Sequence, residues 1–308
     1  MEIELRHFRA FLAVVENGSL GEAAKRLGVS QPTLTHIIQA LERELGGVLF
    51  NRSSQGMEPN ALGRAIEARA RVIVGEVGRA EREIGELLDA QRGRIVIGGG
   101  PVFAHPAIRR GVGRFREAHP KVEIELREVL IREVIPEIKA GEIDYAIATF
   151  DDLGDDEVTR EIILPRQRVM IMTSAENTIA QKNHVTLEEI WPGPWLLPTK
   201  GRMFRTTLDE IFKNAGLPPV EASIECNSIF LMKSYLLAGG IISPFHEMLV
   251  REEIERDIVR PLRIPELNWT LDIGVVYRRG VPLPPAAARL LDAIKRSCAE
   301  HNHRKSGE

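Results

Sequence analysis

The chain has 308 residues, 44% hydrophobic and 28% charged, with a formal net charge of −3. These proportions exclude an intrinsically disordered chain, and the slight acidity excludes a general nucleic-acid coat, so any DNA contact must come from local charge. Two cysteines, Cys226 and Cys298, without a C-x-x-C exclude a disulfide framework or a zinc site, and no apolar run approaches the ~20 residues of a membrane span.

Leu5, Phe8, Phe11, Leu12 and Val15 recur at helical spacing, which predicts a first helix over about 5–16, ended by Asn17-Gly18. The first ten residues carry Glu2, Glu4, Arg6 and Arg9, too much charge for a signal peptide, so a cytoplasmic protein is expected. Residues 19–38, SLGEAAKRLGVSQPTLTHII, then spell two short helices and a tight turn. Ser19 and Glu22 form an S-x-x-E capping box. Ala23 and Ala24 leave room for a second helix to pack, and Gly28 sits where the turn needs a positive φ. Ser30 caps the next helix, and Pro32 falls in its first turn, where a missing N–H does little harm. Leu27, Val29, Leu34 and Ile37 supply the contacts between the two. This is a helix-turn-helix, which lays its second helix in the DNA major groove. Ser30, Gln31, Pro32, Thr33, Thr35 and His36 are its candidate DNA-contacting residues. Val48-Leu49-Phe50 and Gly56-Met57 read as the strands of a hairpin wing, with Arg52 between them facing phosphate.

With these residues in place, the stretch from Leu5 to Gly63 resembles the LysR-type transcriptional regulators, and the rest of the chain fits that family in length and pattern. The resemblance implies a fold in three parts. An all-α-type winged helix-turn-helix covers 1–60, a dimerising linker helix 61–90, and an α/β effector domain 91–300 that is two-lobed like a periplasmic binding protein. Lobe one is then about 91–162 with 268–300, and lobe two about 163–267. The implied partners are double-stranded operator DNA, a small effector and a second copy of the chain, as a homodimer or homotetramer; RNA polymerase is admitted as a further partner. No cofactor, metal or membrane is implied. One departure stands out: family members usually carry Ser then Arg where this chain has Thr35-His36, and His cannot make the bidentate fork to guanine that Arg makes.

From Asn60 to about Ala90 the pattern is helical. Leu62, Ile66, Ile73, Val77, Ala80, Ile84 and Leu87 follow three- and four-residue steps with Arg69 as the one interruption, close to a coiled-coil seam. The alternative is an ordinary amphipathic helix packed on its own domain. Gly63, Gly75, Gly78 and Gly85 each cost about 1 kcal/mol against Ala in a helix, and close approach to a partner is their expected compensation.

Beyond Gln91 the chain alternates. Strands are expected over 94–98, 122–128, 144–149, 169–173, 195–197, 220–224, 241–242 and 272–278. Helices are expected over 103–118, 131–140, 208–215, 229–238, 245–255 and 286–299, with 301–308 a disordered tail. Strand–helix alternation implies a parallel sheet with helices on its faces, and ligands bind outside the carboxyl ends of its strands. The effector candidates lie at those ends: Gly100, Pro101, Val102, Leu130, Thr149, Phe150, Thr199, Lys200, Arg202, Ser228 and Pro244. The glycine-rich turn 98–100 exposes N–H groups to an anion, or is a plain strand-to-helix turn. Lys200, Arg202 and Arg205 at one strand end suggest an anionic effector, or form a solvated basic surface. Asn227-Ser228 and Ser243-Pro244 complete the ring in lobe two, or, as each alone favours, simply cap helices. It is not a dinucleotide fingerprint: Gly111 and Gly113 lack the third glycine.

An enzyme would need Cys226, His246 and Glu225 to act together, and nothing in the sequence ties them. His301 and His303 read as part of a charged tail rather than as metal ligands. A DNA-binding regulator is therefore preferred over an α/β enzyme with a fused DNA domain, or a ligand-binding module with a vestigial one.

Overall fold

A computed structural model describes residues 2–53, 56–88, 93–129, 131–149, 157–265, 267 and 269–306. The expected effector residues Leu130 and Phe150 lie outside them. The helices are α1 Leu5–Asn17, α2 Leu20–Leu27, α3 Gln31–Leu45, α4 Ala61–Leu88, α5 Pro106–Ala118, α6 Ile131–Ala140, α7 Leu187–Ile190, α8 Met203–Asn214, α9 Ile229–Ala238, α10 Arg251–Glu255 and α11 Pro285–Ser306. The strands are β1 Phe50–Ser53, β2 Gly56–Pro59, β3 Gly93–Gly99, β4 Val122–Glu128, β5 Tyr145–Thr149, β6 Val158–Ser174, β7 Trp195–Leu197, β8 Ala222–Glu225, β9 Ile242–His246, β10 Val259–Pro261 and β11 Thr270–Arg278.

Two compact units result. The first comprises Met1–Gly98, His119–Ala146 and Tyr277–Arg289. Its N-terminal core is built from Phe11 and Val14 of α1, Ala23 and Ala24 of α2, and Leu34, Ile38 and Leu41 of α3, closed by Leu49, Phe50 and Ala70. Ser19 Oγ accepts the N–H of Glu22, but the Glu22 carboxylate pairs with Lys25 instead of closing the expected capping box; Ser30 Oγ accepts the N–H of Thr33, and Gly28 has φ 67°. The wing pairs Phe50 with Pro59 and Arg52 with Met57, and Met57 N–H donates to Gly18 O at 2.7 Å. In this unit β4 and β3 lie side by side.

Helix α4 has two faces. Ala70 is buried, and Ile66 and Val74 pack on the N-terminal core. Gly63 abuts Leu49 and Pro59, and Gly75 abuts Ala140 and Gly141. The close approach that these two glycines permit is therefore to the chain itself and not to a partner, a correction to the sequence reading. Nothing crowds Gly85. Leu62, Ile73 and Ile84 remain exposed. They recur every eleven residues, about three helical turns, so they form one row.

The second unit comprises Gly99–Ala118, Ile147–Val276 and Leu290–Glu308. Here β6 pairs antiparallel with β9, Val169 opposite His246, and with β10. Strand β9 lies parallel to β7, and β7 to β8; β11 flanks β6 on the other side. All five residues of β9 are buried. Ile242 enters one core cluster with Trp195 and Phe212, and Phe245 another with Met172 and Leu236.

Several boundaries differ from expectation: β6 begins at Val158 rather than Val169, α8 at Met203 rather than Leu208, and α7 and β10 have no counterpart among the expected elements. The helix expected from Phe103 is a 3-10 turn, Pro101–Ala104, followed by α5. His105 between them is extended (φ −60°, ψ 129°), as the residue before a proline prefers. The helix expected from Phe245 begins only after β9, as a 3-10 turn Glu247–Leu249 and then α10. All five residues of β9 are buried, the polar Ser243 and His246 included, so its sequence shows no strand alternation, which hid its length. Finally, α11 runs to Ser306, so His301–Ser306 are helical rather than a disordered tail. Among the described residues no helix is long and apolar enough to cross a membrane.

Candidate functional site

The first candidate is the N-terminal end of α3. Leu34, Ile38 and Leu41 fix its inner face in the core. That leaves Ser30, Gln31, Pro32, Thr33 and His36 exposed on the outer face, with Thr35 partly covered. Local bonds hold these side chains in place. Ser30 and Thr33 share a hydroxyl bond of 2.7 Å, and Thr35 Oγ1 donates to Gln31 O at 2.9 Å. Arg52 stands in β1 opposite Met57. The nearby bases are already engaged: Lys25 with Glu22 at 2.7 Å, Arg26 with Glu16 at 2.6 Å, and Arg64 with Pro59 O at 2.6 Å. Charge alone therefore attracts DNA weakly here, and the shape and polar groups of α3 carry more of the recognition.

The second candidate is in the second unit, where several expected segments meet. Thr149 Oγ1, at the end of β5, lies 4.0 Å from Met203 Sδ in the first turn of α8. The next residue, Phe204, contacts the His246 ring edge-on, with centroids 5.0 Å apart. The turn Pro101–Ala104 packs on the turn Glu247–Leu249 that follows His246. Arg202 is the N-cap of α8 and makes no capping bond with its side chain, so no N-cap side chain takes up the first-turn N–H groups. Lys200 is exposed, Val102 and Pro244 are buried, and Gly100, Pro101 and Thr149 lie at or near the surface. Thr199 N–H and hydroxyl both bond Asn227 Oδ1 at 3.1 Å, and Ser228 caps α9 through the N–H of Leu231.

Arg205 is a correction. It is 2% exposed, with Nε held 3.2 Å from both oxygens of Asp209 and Nη2 donating to Val220 O. It is an internal staple and not one of three cations at a mouth.

A water-sized void of ≈ 20 Å³ adjoins this region, lined by His105, Gln167, Arg168, His246, Arg251 and His301 among others. Sequence reasoning assigned none of these residues to a ligand. The signals were a histidine before Pro106 and one ending the apolar run ISPF. Arg166, with φ 48°, kinks β6 and is held by its N–H to Asp272 Oδ1 at 2.7 Å; Gln167 and Arg168 follow the kink. His246 is 5% exposed and its Nδ1 has no partner. Burial pushes its pKa down to about 4, so the ring is neutral near pH 7. Cys226 does not address it: its Sγ lies 3.6 Å from Ser228 O. Among the described residues no group of three or more His, Cys, Asp or Glu is placed to hold a metal ion.

Comparison with known proteins matches both regions. Residues 5–64 match the model of the bacterial regulatory helix-turn-helix protein, lysR family, and residues 89–299 the LysR substrate binding domain. The chain is 31% identical over 232 residues to the HTH-type transcriptional regulator ClcR of Pseudomonas putida, covering 72% of this chain and 76% of that one. It is 23% identical over 299 residues to the regulator GalR of Pseudomonas putida strain KT2440, covering 96% and 75%. The fold superposes on full-length CbnR complexed with its target DNA with a TM-score of 0.69, at 23% identity, over 96% of this chain and 100% of that one. A family model that spans most of the chain, joined to the capped helix-turn-helix, establishes that the protein belongs to the LysR family of DNA-binding transcriptional regulators.

Proposed function

We propose that this regulator binds double-stranded operator DNA as a homodimer or homotetramer and responds to a small anionic effector. The chemistry of the second unit supports the effector's charge. Arg168 and Arg251, paired with Glu247 and Glu255, line the void beside a buried histidine whose Nδ1 is unpartnered, and Lys200 and Arg202 precede the N-terminus of α8, which no side chain caps. An unpaired polar group at that depth costs free energy that a bound ligand can recover. The void is water-sized, so an effector enters only as its walls move, and such motion is what a regulator needs: a ligand shifts an equilibrium by its differential affinity for two states. The effector bridges Pro101-Val102 to Thr199-Lys200, and Thr149 and Ser228 line its site.

The exposed row Leu62, Ile73 and Ile84 on α4 supports dimerisation through the linker helix, and Phe230, 75% exposed on α9, with Leu231 and Tyr235 supports further self-association. In this reading 1–60 is the DNA-binding domain, 61–90 the dimerising helix and 91–300 the effector domain. The protein works in the cytoplasm, by binding and without catalysis.

A thermal-shift screen of small carboxylic, phosphorylated and neutral compounds tests the effector. Ligands that favour the native state raise its apparent stability. Acids are expected to shift the wild type, and Lys200→Ala to shift less while keeping its affinity for DNA in the absence of ligand. Hits confined to neutral compounds, bound equally by Lys200→Ala, would defeat the anionic reading and leave the family assignment untouched.

A further inference from the structure

Ion pairs form a continuous chain through the first unit. Arg26, in the last turn of α2, donates to Glu16 Oε2 at 2.6 Å. The other oxygen of Glu16, near the end of α1, accepts from Arg71 Nη1 on α4 at 3.3 Å. The same nitrogen reaches Glu142 Oε1 at 2.8 Å, while Arg71 Nε and Nη2 fork onto Glu67 Oε1 at 3.1 and 3.0 Å. Glu142 lies in the turn between α6 and β5, within the segment that matches the substrate binding domain. One guanidinium thus gathers three carboxylates: one from the helix-turn-helix region, one from its own helix, and one from a segment seventy-one residues further along the chain.

The setting favours a discrete arrangement over a loose surface cluster. Arg71 is 25% exposed, and Glu16 and Glu142 32% each, so water screens these pairs less than open surface pairs. Backbone packing holds the same two segments together. Gly75, one turn beyond Arg71, sits against Ala140 and Gly141, and Arg82 Nη2 donates to Gly141 O at 3.4 Å. Arg278, from the end of β11, pairs with Glu76 on the same stretch of α4. If Arg71 were removed, Glu16, Glu67 and Glu142 would be left as neighbouring like charges, each favouring separation.

We propose that Arg71 is a positioning residue for DNA recognition: it holds α1 and α2 in register with the 140–144 turn, so that displacement of this turn is felt at the helix-turn-helix. Coupling requires an element with two arrangements that both ends bias. The bridge Glu142–Arg71–Glu16–Arg26 is such an element, engaged or broken. The inference rests on the DNA-binding assignment and is independent of the effector's chemistry.

The test uses the full-length protein and a duplex enriched by the wild type from a randomised library, with a scrambled duplex beside it. Glu142→Gln keeps the shape of the side chain and removes its charge, at a site far from the recognition helix in sequence. It should weaken binding to the enriched duplex about three- to tenfold, leave the scrambled duplex within about twofold, and speed amide exchange across residues 16–27. Glu137→Gln, on the adjacent α6 and paired with Arg127, should do neither. Adding Glu142→Gln to Arg71→Met should cost nothing further, because the bridge is already broken. Level or tightened binding by Glu142→Gln, with exchange over 16–27 like that of Glu137→Gln, would overturn the proposal. Failure of the wild type to enrich any duplex would instead remove the DNA-binding assignment beneath it.

Discussion

Replacing Gly75 with alanine should stabilise an isolated helix by about 1 kcal/mol, because glycine is the poorer helix former. The environment of α4 reverses that sign. A Cβ on Gly75 would lie 2.7 Å from the carbonyl carbon of Ala140 and 3.4 Å from Gly141 Cα, with the Ala140 oxygen closer still. These are backbone atoms, so no rotamer change relieves the contact, and α4 must separate from the end of α6. Forcing a methyl into a packed site typically costs about 1–3 kcal/mol, and a backbone obstacle puts this site at the upper end. Subtracting the helix gain leaves a net loss of about 2 kcal/mol. Gly85 is the internal control: nothing lies within 4 Å of its added Cβ, so Gly85→Ala should gain up to about 1 kcal/mol. All three tryptophans fall at 191, 195 and 269, so urea unfolding is better followed by far-UV circular dichroism, which senses α4. If Gly75→Ala proved as stable as Gly85→Ala, the packing of α4 on the 140–141 turn would be refuted.

Two further outcomes follow from single residues. His246 has a folded pKa of about 4, below its ordinary 6.5, so the unfolded chain takes up the proton first as pH falls; the stability present above pH 6.5 is lost on the way down to about 4. Between pH 7 and pH 5 the wild type should lose about 2 kcal/mol more than His246→Gln, measured by denaturant unfolding at both values. Equal losses would mean that the ring is not buried and neutral. Ile73→Asp and Ile84→Asp sit on the exposed row of α4, so the monomer's stability should change by no more than about 0.5 kcal/mol. Light scattering should nevertheless show loss of the dimer, since the charge would be buried there without a partner; an intact dimer in either variant would move the interface elsewhere.

What the sequence made legible was local. Ser19, Gly28, Ser30 and Pro32 act within three or four residues of themselves, so the two helices and their turn could be placed from the sequence alone. The wing followed from Gly56 and from short apolar runs. The harder parts depend on distant chain. Gly75 answers to Ala140, and no helical pattern around it names that neighbour. Arg205 looked like a free cation because its partners, Asp209 and Val220 O, become visible only once α8 is folded. Strand β9 buries both faces and so shows no alternation, which hid His246 inside a presumed helix. The rim with Arg168, Arg251 and His301 is assembled from three separate stretches of sequence, each unremarkable alone.

The claim on which the rest depends is that α3 reads DNA, and sequence selection from a randomised duplex library tests it most directly. The wild type should enrich a two-fold symmetric motif, as a dimer of helix-turn-helix heads requires. Gln31→Ala or Thr33→Ala should lose about 1–3 kcal/mol on that motif and relax one base position in each half-site, whereas Arg52→Ala should weaken all sequences alike and flatten the salt dependence. If the wild type enriched a motif that Gln31→Ala and Thr33→Ala then bound with unchanged affinity and preference, the exposed end of α3 would not be the reading surface.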